Sequence, residues 1–185
     1  MRLYVGLAGK IGSGKTVVSE HLQKAYGATE HRFSEILEDI LDRLYLPHER
    51  GYLQRLGGSI RKELGHDVIV NAMKKDLETE KADVVVIDGI RYENEVEMLR
   101  DFKGILIFVS APSELRYQRS VKRGTRGEAT ITFEQFLVNE KAATERGLDI
   151  VERKADYVLD NTGTLEELIQ NVDGIMREKL GDKGH

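Results

Sequence analysis

The chain has 185 residues, 40% of them hydrophobic, and a formal net charge of −4. That length suits one substantial α/β domain and is too short for two ordinary ones, while the acidic balance excludes a general nucleic-acid binder, whose footprint would be basic. It contains no cysteine, no signal-peptide pattern and no apolar run near about 18 residues, so disulfides, thiolate zinc sites and a membrane span are not expected, and the cytoplasm is the predicted compartment.

The charged fraction, 32%, exceeds the usual value of about 25%. It fits surface ion-pair networks of a hot habitat or ordinary solvated helices equally well. Short apolar runs alternate with amphipathic stretches, and no linker or repeat interrupts them. This pattern predicts a parallel sheet flanked by helices.

The first run, Leu3–Ala8, leads into Gly9-x-x-x-x-Gly14-Lys15-Thr16, which fits the phosphate-loop pattern G-x-x-x-x-G-K-[ST]. Glycines let successive backbone N–H groups turn inward. A helix is predicted over Lys15–Tyr26, so the loop sits at a helix N-terminus, where an anion is favoured. Gly9, Gly12, Ser13, Gly14, Lys15 and Thr16 are therefore expected to bind the phosphates of a nucleotide. Lys15 would reach the β- and γ-phosphates, and the Thr16 hydroxyl would help hold Mg²⁺.

A weak strand is predicted at His31–Phe33 and helices at Ser34–Tyr45 and Asp67–Glu80. The stretch about 34–67 carries Arg43, His48, Arg50, Arg55, Arg61, Lys62 and His66. As an insertion in such a sheet it would overhang the strand ends and close over an acceptor. Arg55 and Arg61 either bind the acceptor's phosphate or are surface charges; Phe33 and Tyr52 either stack on its base or belong to the core.

The third run, Val84–Asp88, is β-branched as a doubly buried strand should be. Asp88 is expected to meet Mg²⁺ through water, the alternative being a cap on the turn at Gly89. Arg91 follows, able to grip a second anionic group in a bidentate fork. A simple nucleotide hydrolase needs no such arginine; a kinase with a phosphorylated acceptor does.

A helix at Glu93–Phe102, a strand at Ile105–Ser110 and a helix at Ser113–Arg123 come next. Arg116, Arg119 and Arg123 fall at i, i+3 and i+7 on one helical face. Phosphoryl transfer needs positive charge around the transferring group, and Lys15, Arg119 and Arg123 are the residues expected to supply it. Gly124 and Gly127 suggest the hinge of a small lid over about 122–132 that would exclude water. A helix over Phe133–Arg146, a strand at Tyr157–Asp160 and a helix over Leu165–Leu180 complete the chain. Ser113, Thr132 and Thr164 are the expected N-caps, with Glu167 completing a capping box. Asn161 and Gly163 either form the turn after the last strand or read the purine edge.

Together, Gly9-x-x-Gly12-Ser13-Gly14-Lys15-Thr16, Asp88-Gly89-Ile90-Arg91 and the arginine-bearing helix resemble the nucleoside monophosphate kinase group of P-loop proteins. Asp88-Gly89-x-Arg91 looks like the D-G-x-P-R motif of adenylate kinases without its proline. The C-terminal stretch from Ala155 through Asn161, Gly163 and Leu165 looks like that of dephospho-CoA kinases and their uncharacterised archaeal relatives. The middle stretch from Phe33 through Arg61 is similar to phage-type deoxynucleoside monophosphate kinases. The resemblance implies a single three-layer α/β/α kinase domain over 1–185, with a five-stranded parallel sheet in the order 2-3-1-4-5, helices on both faces and a small lid. It implies Asn161 and Gly163 beside the adenine, Phe33, Arg55, Arg61 and Arg91 on the acceptor side, and ATP with Mg²⁺ as donor. The expected activity is transfer of the γ-phosphate to a nucleoside or deoxynucleoside monophosphate, with neither nucleic acid nor membrane as partner. Transfer to a dephospho-CoA-like acceptor, with Glu35 as base, and a nucleotide-driven assembly switch are the alternatives.

Overall fold

The computed structural model describes residues 2–123, 131–142 and 145–181. In chain order it contains β1 (Leu3–Ala8), α1 (Lys15–Tyr26), β2 (Thr29–Arg32), α2 (Phe33–Arg43), α3 (Arg50–Glu63), α4 (Val68–Thr79), β3 (Val84–Ile90), α5 (Glu93–Asp101), β4 (Ile105–Ser110), α6 (Ser113–Arg123), α7 (Phe133–Ala142), α8 (Glu145–Arg153), β5 (Tyr157–Asp160) and α9 (Leu165–Leu180). The sheet runs β2-β3-β1-β4-β5, the order the resemblance implied. β1 lies between β3 and β4 and pairs with both in parallel. Such strands read as continuous apolar runs because both faces are covered. Leu7, Val86 and Ile107 are fully buried, each contributing about 1.5–3 kcal/mol.

The chain forms two compact units, Met1–Glu30 with Ala82–His185, and His31–Lys81. In the first, one sheet face packs Val5, Leu7, Val84 and Val86 against Val18 and Leu22 of α1 and Leu168, Val172 and Met176 of α9. The β1–β3 pairing skips one residue at its end: Leu7 lies opposite Asp88 and Ala8 opposite Ile90. Gly89, left over between them, adopts φ +83, which a residue with a Cβ adopts only at a cost. β3 therefore continues two residues past Asp88, and no turn starts at Gly89 for Asp88 to cap. In the second unit α2, α3 and α4 pack on one another, and Leu37, Leu41, Ile69, Met73 and Leu77 are buried.

Several boundaries differ from those predicted. β2 ends at Arg32, and Phe33 opens α2 instead of closing the strand. The Glu35 carboxylate reaches back to the Arg32 backbone N–H at 3.0 Å, a local bond that starts the helix there. α3 was not expected as a helix, because Gly51, Gly57 and Gly58 lower its propensity. One of them serves packing: a Cβ on Gly57 would sit 3.0 Å from Leu37 Cδ1. The single helix expected over Phe133–Arg146 is two, α7 and α8, the latter anchored by buried Leu148 and Val151. Thr132 and Thr164 cap α7 and α9 through reciprocal bonds with Gln135 and Glu167. Ser113 does not cap α6. It is already helical, and Pro112 supplies the carbonyl that accepts the Arg116 N–H.

Candidate phosphate-binding site

β1 delivers the chain to the loop, and the loop ends where α1 begins. Gly9, Gly12 and Gly14 all have positive φ, at 142°, 77° and 109°. Gly14 is the N-cap of α1, its carbonyl accepting Val17 N and Val18 N at 3.1 and 3.3 Å. No acidic side chain occupies the first turn of α1, so its unpaired N–H groups and positive dipole end are left for an external anion. Lys15 Nζ lies over the loop, donating to Gly9 O at 2.6 Å and Lys10 O at 3.2 Å.

Two other elements fix the loop's shape. From α6, the Arg116 carbonyl packs against Gly12 so closely that a Cβ there would collide with it. The Arg116 guanidinium is buried and donates to Ile11 O at 3.3 Å and Ala111 O at 2.8 Å. From the turn after β5, the buried Asn161 amide donates to Ser13 O at 2.7 Å and lies where a Gly14 Cβ would be. Arg119 in turn donates Nη2 to the Asn161 carbonyl at 3.0 Å. The loop is thus a pre-formed cradle, held by contacts far away in sequence.

Among the described residues four buried side-chain atoms find no hydrogen-bond partner: Ser13 Oγ, Asp88 Oδ1, Arg119 Nη1 and Ser120 Oγ. An unmet buried polar atom costs roughly 1–3 kcal/mol and calls for an explanation. A Mg²⁺–nucleotide would supply partners for the carboxylate and the guanidinium. Asp88 Oδ1 and the exposed Thr16 hydroxyl are hard oxygen donors, the type that ion takes. Among the described residues no group of three or more His, Asp or Glu could hold a metal, so the ion fits here only alongside phosphate oxygens.

The remaining predicted residues are placed as follows. Arg91 follows β3 directly, with an exposed side chain and its backbone N–H bonded to the buried Glu95 carboxylate at 2.7 Å. Gly163 has no left-handed backbone; the Glu167 carboxylate of the capping box folds over it and occupies the space of a side chain. Arg123 ends α6, but its side chain, and 124–130 of the expected lid with Gly124 and Gly127, lie outside the described residues. Phe33, Arg55 and Arg61 belong to the unit 31–81. There Phe33 is buried, Arg55 stacks on Tyr52 at 4.9 Å and bonds Gly51 O at 3.2 Å, and Arg61 Nη1 lies against Gly57. Glu35 is engaged by Arg32 through both Nε and the backbone. It lines an open hollow of about 500 Å³ with His31, Asp39, Asp76 and Glu80.

Sequence reasoning missed Glu140, which binds the Arg116 guanidinium, with Nη2 to Oε2 at 3.1 Å. The available signal is its spacing: Phe136 and Glu140 share one face of α7, and Arg116 lies 5.7 Å over the Phe136 ring. Also unforeseen is a cluster that ties α1 to α9. His21 and Tyr26 both contact Asp173 Oδ1, at 2.6 and 2.9 Å. Burial, then the Asp173 carboxylate, push the Tyr26 phenol from 10.0 up to about 12. Burial pushes Asp173 up as well, but hydrogen bonds from His21 and Tyr26 outweigh it and hold the carboxyl below its usual range.

Comparison with known proteins places this geometry. Residues 5–135 match the AAA domain family. The UPF0200 protein of Pyrobaculum aerophilum is 31% identical over 94% of this chain and 97% of its own length. That of Hyperthermus butylicus is 29% identical over 90% of this chain and 89% of its own. Among solved structures, shikimate kinase from Acinetobacter baumannii, in complex with shikimate, is similar with a TM-score of 0.60 at 21% identity, covering 100% of this chain and 97% of that one. A protein of Eubacterium ventriosum reaches a TM-score of 0.63 at 16% identity, covering 97% and 99%. The structural likenesses establish a P-loop kinase fold, and the sequence matches go further: the chain belongs to the AAA domain family and to the archaeal UPF0200 proteins.

Proposed function

We propose that the protein is an ATP-dependent phosphotransferase whose acceptor is a small phosphorylated molecule of the nucleoside or deoxynucleoside monophosphate class. The observation that carries this is the pair of opposite charges, Asp88 Oδ1 and Arg119 Nη1, each buried without a partner in the unit that holds the phosphate loop. One suits a metal ion and the other a phosphoryl group.

In this reading the loop N–H groups and Lys15 hold the β- and γ-phosphates, with Lys15 exchanging the carbonyls of Gly9 and Lys10 for phosphate oxygen. Thr16 and, through water, Asp88 would hold Mg²⁺, which would neutralise charge on those phosphates. Arg119 and Arg123 stabilise the charge spread over the transferring group. The acceptor's phosphate oxygen attacks the γ-phosphorus in line, and the bond to the ADP oxygen breaks. Arg91 anchors the acceptor phosphate; Arg55 and Arg61 carry the same expectation from the sequence, Phe33 that of stacking on the acceptor's base, and Asn161 and Gly163 are the backbone beside the adenine.

A second reading is transfer to a hydroxyl, as the fold shared with shikimate kinases suggests. It needs a base to take the proton, and Glu35, the candidate, already has its carboxylate bound to Arg32. A phosphate acceptor is anionic near neutral pH and needs none, which favours the first reading. The test is ADP formation from ATP with a panel of monophosphates, deoxymonophosphates, dephospho-CoA and shikimate. Turnover with a monophosphate is the expected result. Turnover only with a hydroxyl acceptor supports the second reading, and turnover indifferent to every acceptor supports a nucleotide switch.

A further inference from the structure

We infer that Glu140 is a positioning residue for the donor loop, acting through Arg116. This rests on the reading that residues 9–16 receive nucleotide phosphates, and it adds a residue on α7 that the reading did not require.

Arg116 makes three kinds of contact at once. Its Nε bonds Ala111 O, its Nη1 bonds Ile11 O at the loop's crest, and both terminal nitrogens meet the Glu140 carboxylate. The arginine is 4% exposed, so its charge cannot be left to water. A buried guanidinium with one carboxylate partner depends on that partner for orientation as much as for neutralisation. Phe136, one helical turn before Glu140, closes the other side of the guanidinium. α7 therefore grips the arginine between a ring face and a carboxylate, and the arginine presents what remains of its donor set to Ile11. Asp or Gln at 140 would change that presentation without touching the loop itself. Tyr117 extends the same contact, its ring against Phe133 and Phe136 and its hydroxyl donating to Ile131 O at 2.9 Å. The seating of α7 on α6 and the shape of the loop crest are one arrangement.

A merely structural ion pair predicts a different outcome from a positioning one. Buried ion pairs can be replaced by apolar residues of similar volume without loss of stability. The decisive variant is thus the double substitution Arg116→Met/Glu140→Met, compared with Glu140→Gln. Two quantities are measured on the full chain: ADP affinity by calorimetry, and hydrogen exchange of the Ile11–Thr16 amides without nucleotide. The double variant should regain the thermal midpoint lost in Glu140→Gln. Both should still bind ADP about tenfold more weakly and exchange the loop amides faster. ADP affinity and amide exchange equal to the native chain in the double variant would overturn the inference, leaving the pair a packing device. If the native chain bound no ADP, the donor-site reading would fail, while the exchange comparison would still decide whether Glu140 holds the loop.

Discussion

The arginines of α6 and those of α3 show two ways of carrying positive charge. On α6, Arg116 is buried and fully bonded, and Arg119 is fixed at one nitrogen with the other left without a partner. On α3, Arg55 is exposed, leaning on its own helix through Gly51 O and on Tyr52. The first arrangement spends folding contacts to hold a guanidinium ready before any ligand arrives, which is what electrostatic catalysis requires. The second leaves the side chain free to be recruited, at an entropic cost when it is. The difference is between a guanidinium fixed in advance by the fold and one that keeps its freedom until something binds it.

The sharpest way to break that contrast is Lys15→Ala, which should lower phosphoryl transfer by about a thousandfold or more, read as ADP formation at saturating acceptor. Residual turnover near the native rate would mean that the loop does not hold the reacting phosphates. Next comes Arg119→Met, expected under the proposed function to lower kcat by about a hundredfold with a small change in ATP KM, the result if its unpartnered Nη1 serves the transition state. A change in KM alone would make Arg119 a ground-state anchor. Arg91→Ala should raise acceptor KM by more than tenfold, and Arg55→Ala by less, on the order of an exposed ion pair's contribution. Equal effects from the two would erase the distinction between them.

The smallest effect lies outside both regions, in the α1–α9 cluster. Asp173 is held below its usual range, so the native state releases this proton more readily, and its contribution is lost as pH falls through the folded value. Tyr26 is raised from 10.0 to about 12, so its contribution is complete below pH 10 and is lost as pH rises toward 12. Tyr26→Phe should flatten the alkaline fall in thermal midpoint and leave an acid fall carried by Asp173. A variant whose alkaline fall matched the native one would place that titration elsewhere.

How much of this was legible in the sequence follows from distance along the chain. The loop, its helix and the β-branched strands announce themselves within a dozen residues, because glycine spacing and apolar runs are local. So do the caps at Thr132 and Thr164. What escaped was long-range or disguised. A separation of 24 positions hides the bond between Arg116 and Glu140, and α3 hides behind glycines that a propensity count penalises, one of which, Gly57, Leu37 needs. Residue type marks Asn161 as turn former or purine reader and gives no sign that its amide also holds the Ser13 carbonyl. Residue type identified it as important; only the fold shows what it touches.

The skipped residue at the end of β3 has a consequence of its own. Along a strand, side chains two apart share a face, so Val84, Val86, Asp88 and Ile90 would all point toward α1. Val84 and Val86 do pack there with Val18 and Leu22, and Asp88 continues their row. Ile90 does not: its Cδ1 lies over Gly6 beside Leu99 of α5. Gly89 thus acts as a parity switch, inverting the strand's two-residue rhythm at its last step. A carboxylate and an apolar anchor that even spacing would crowd onto one side are sent to opposite sides of the sheet. Straightening the strand with Gly89 kept would bring Ile90 round to the side of Asp88, whereas deleting Gly89 would leave the two on opposite faces by plain alternation, so it is the left-handed turn of this one glycine that keeps the carboxylate and the core in separate compartments.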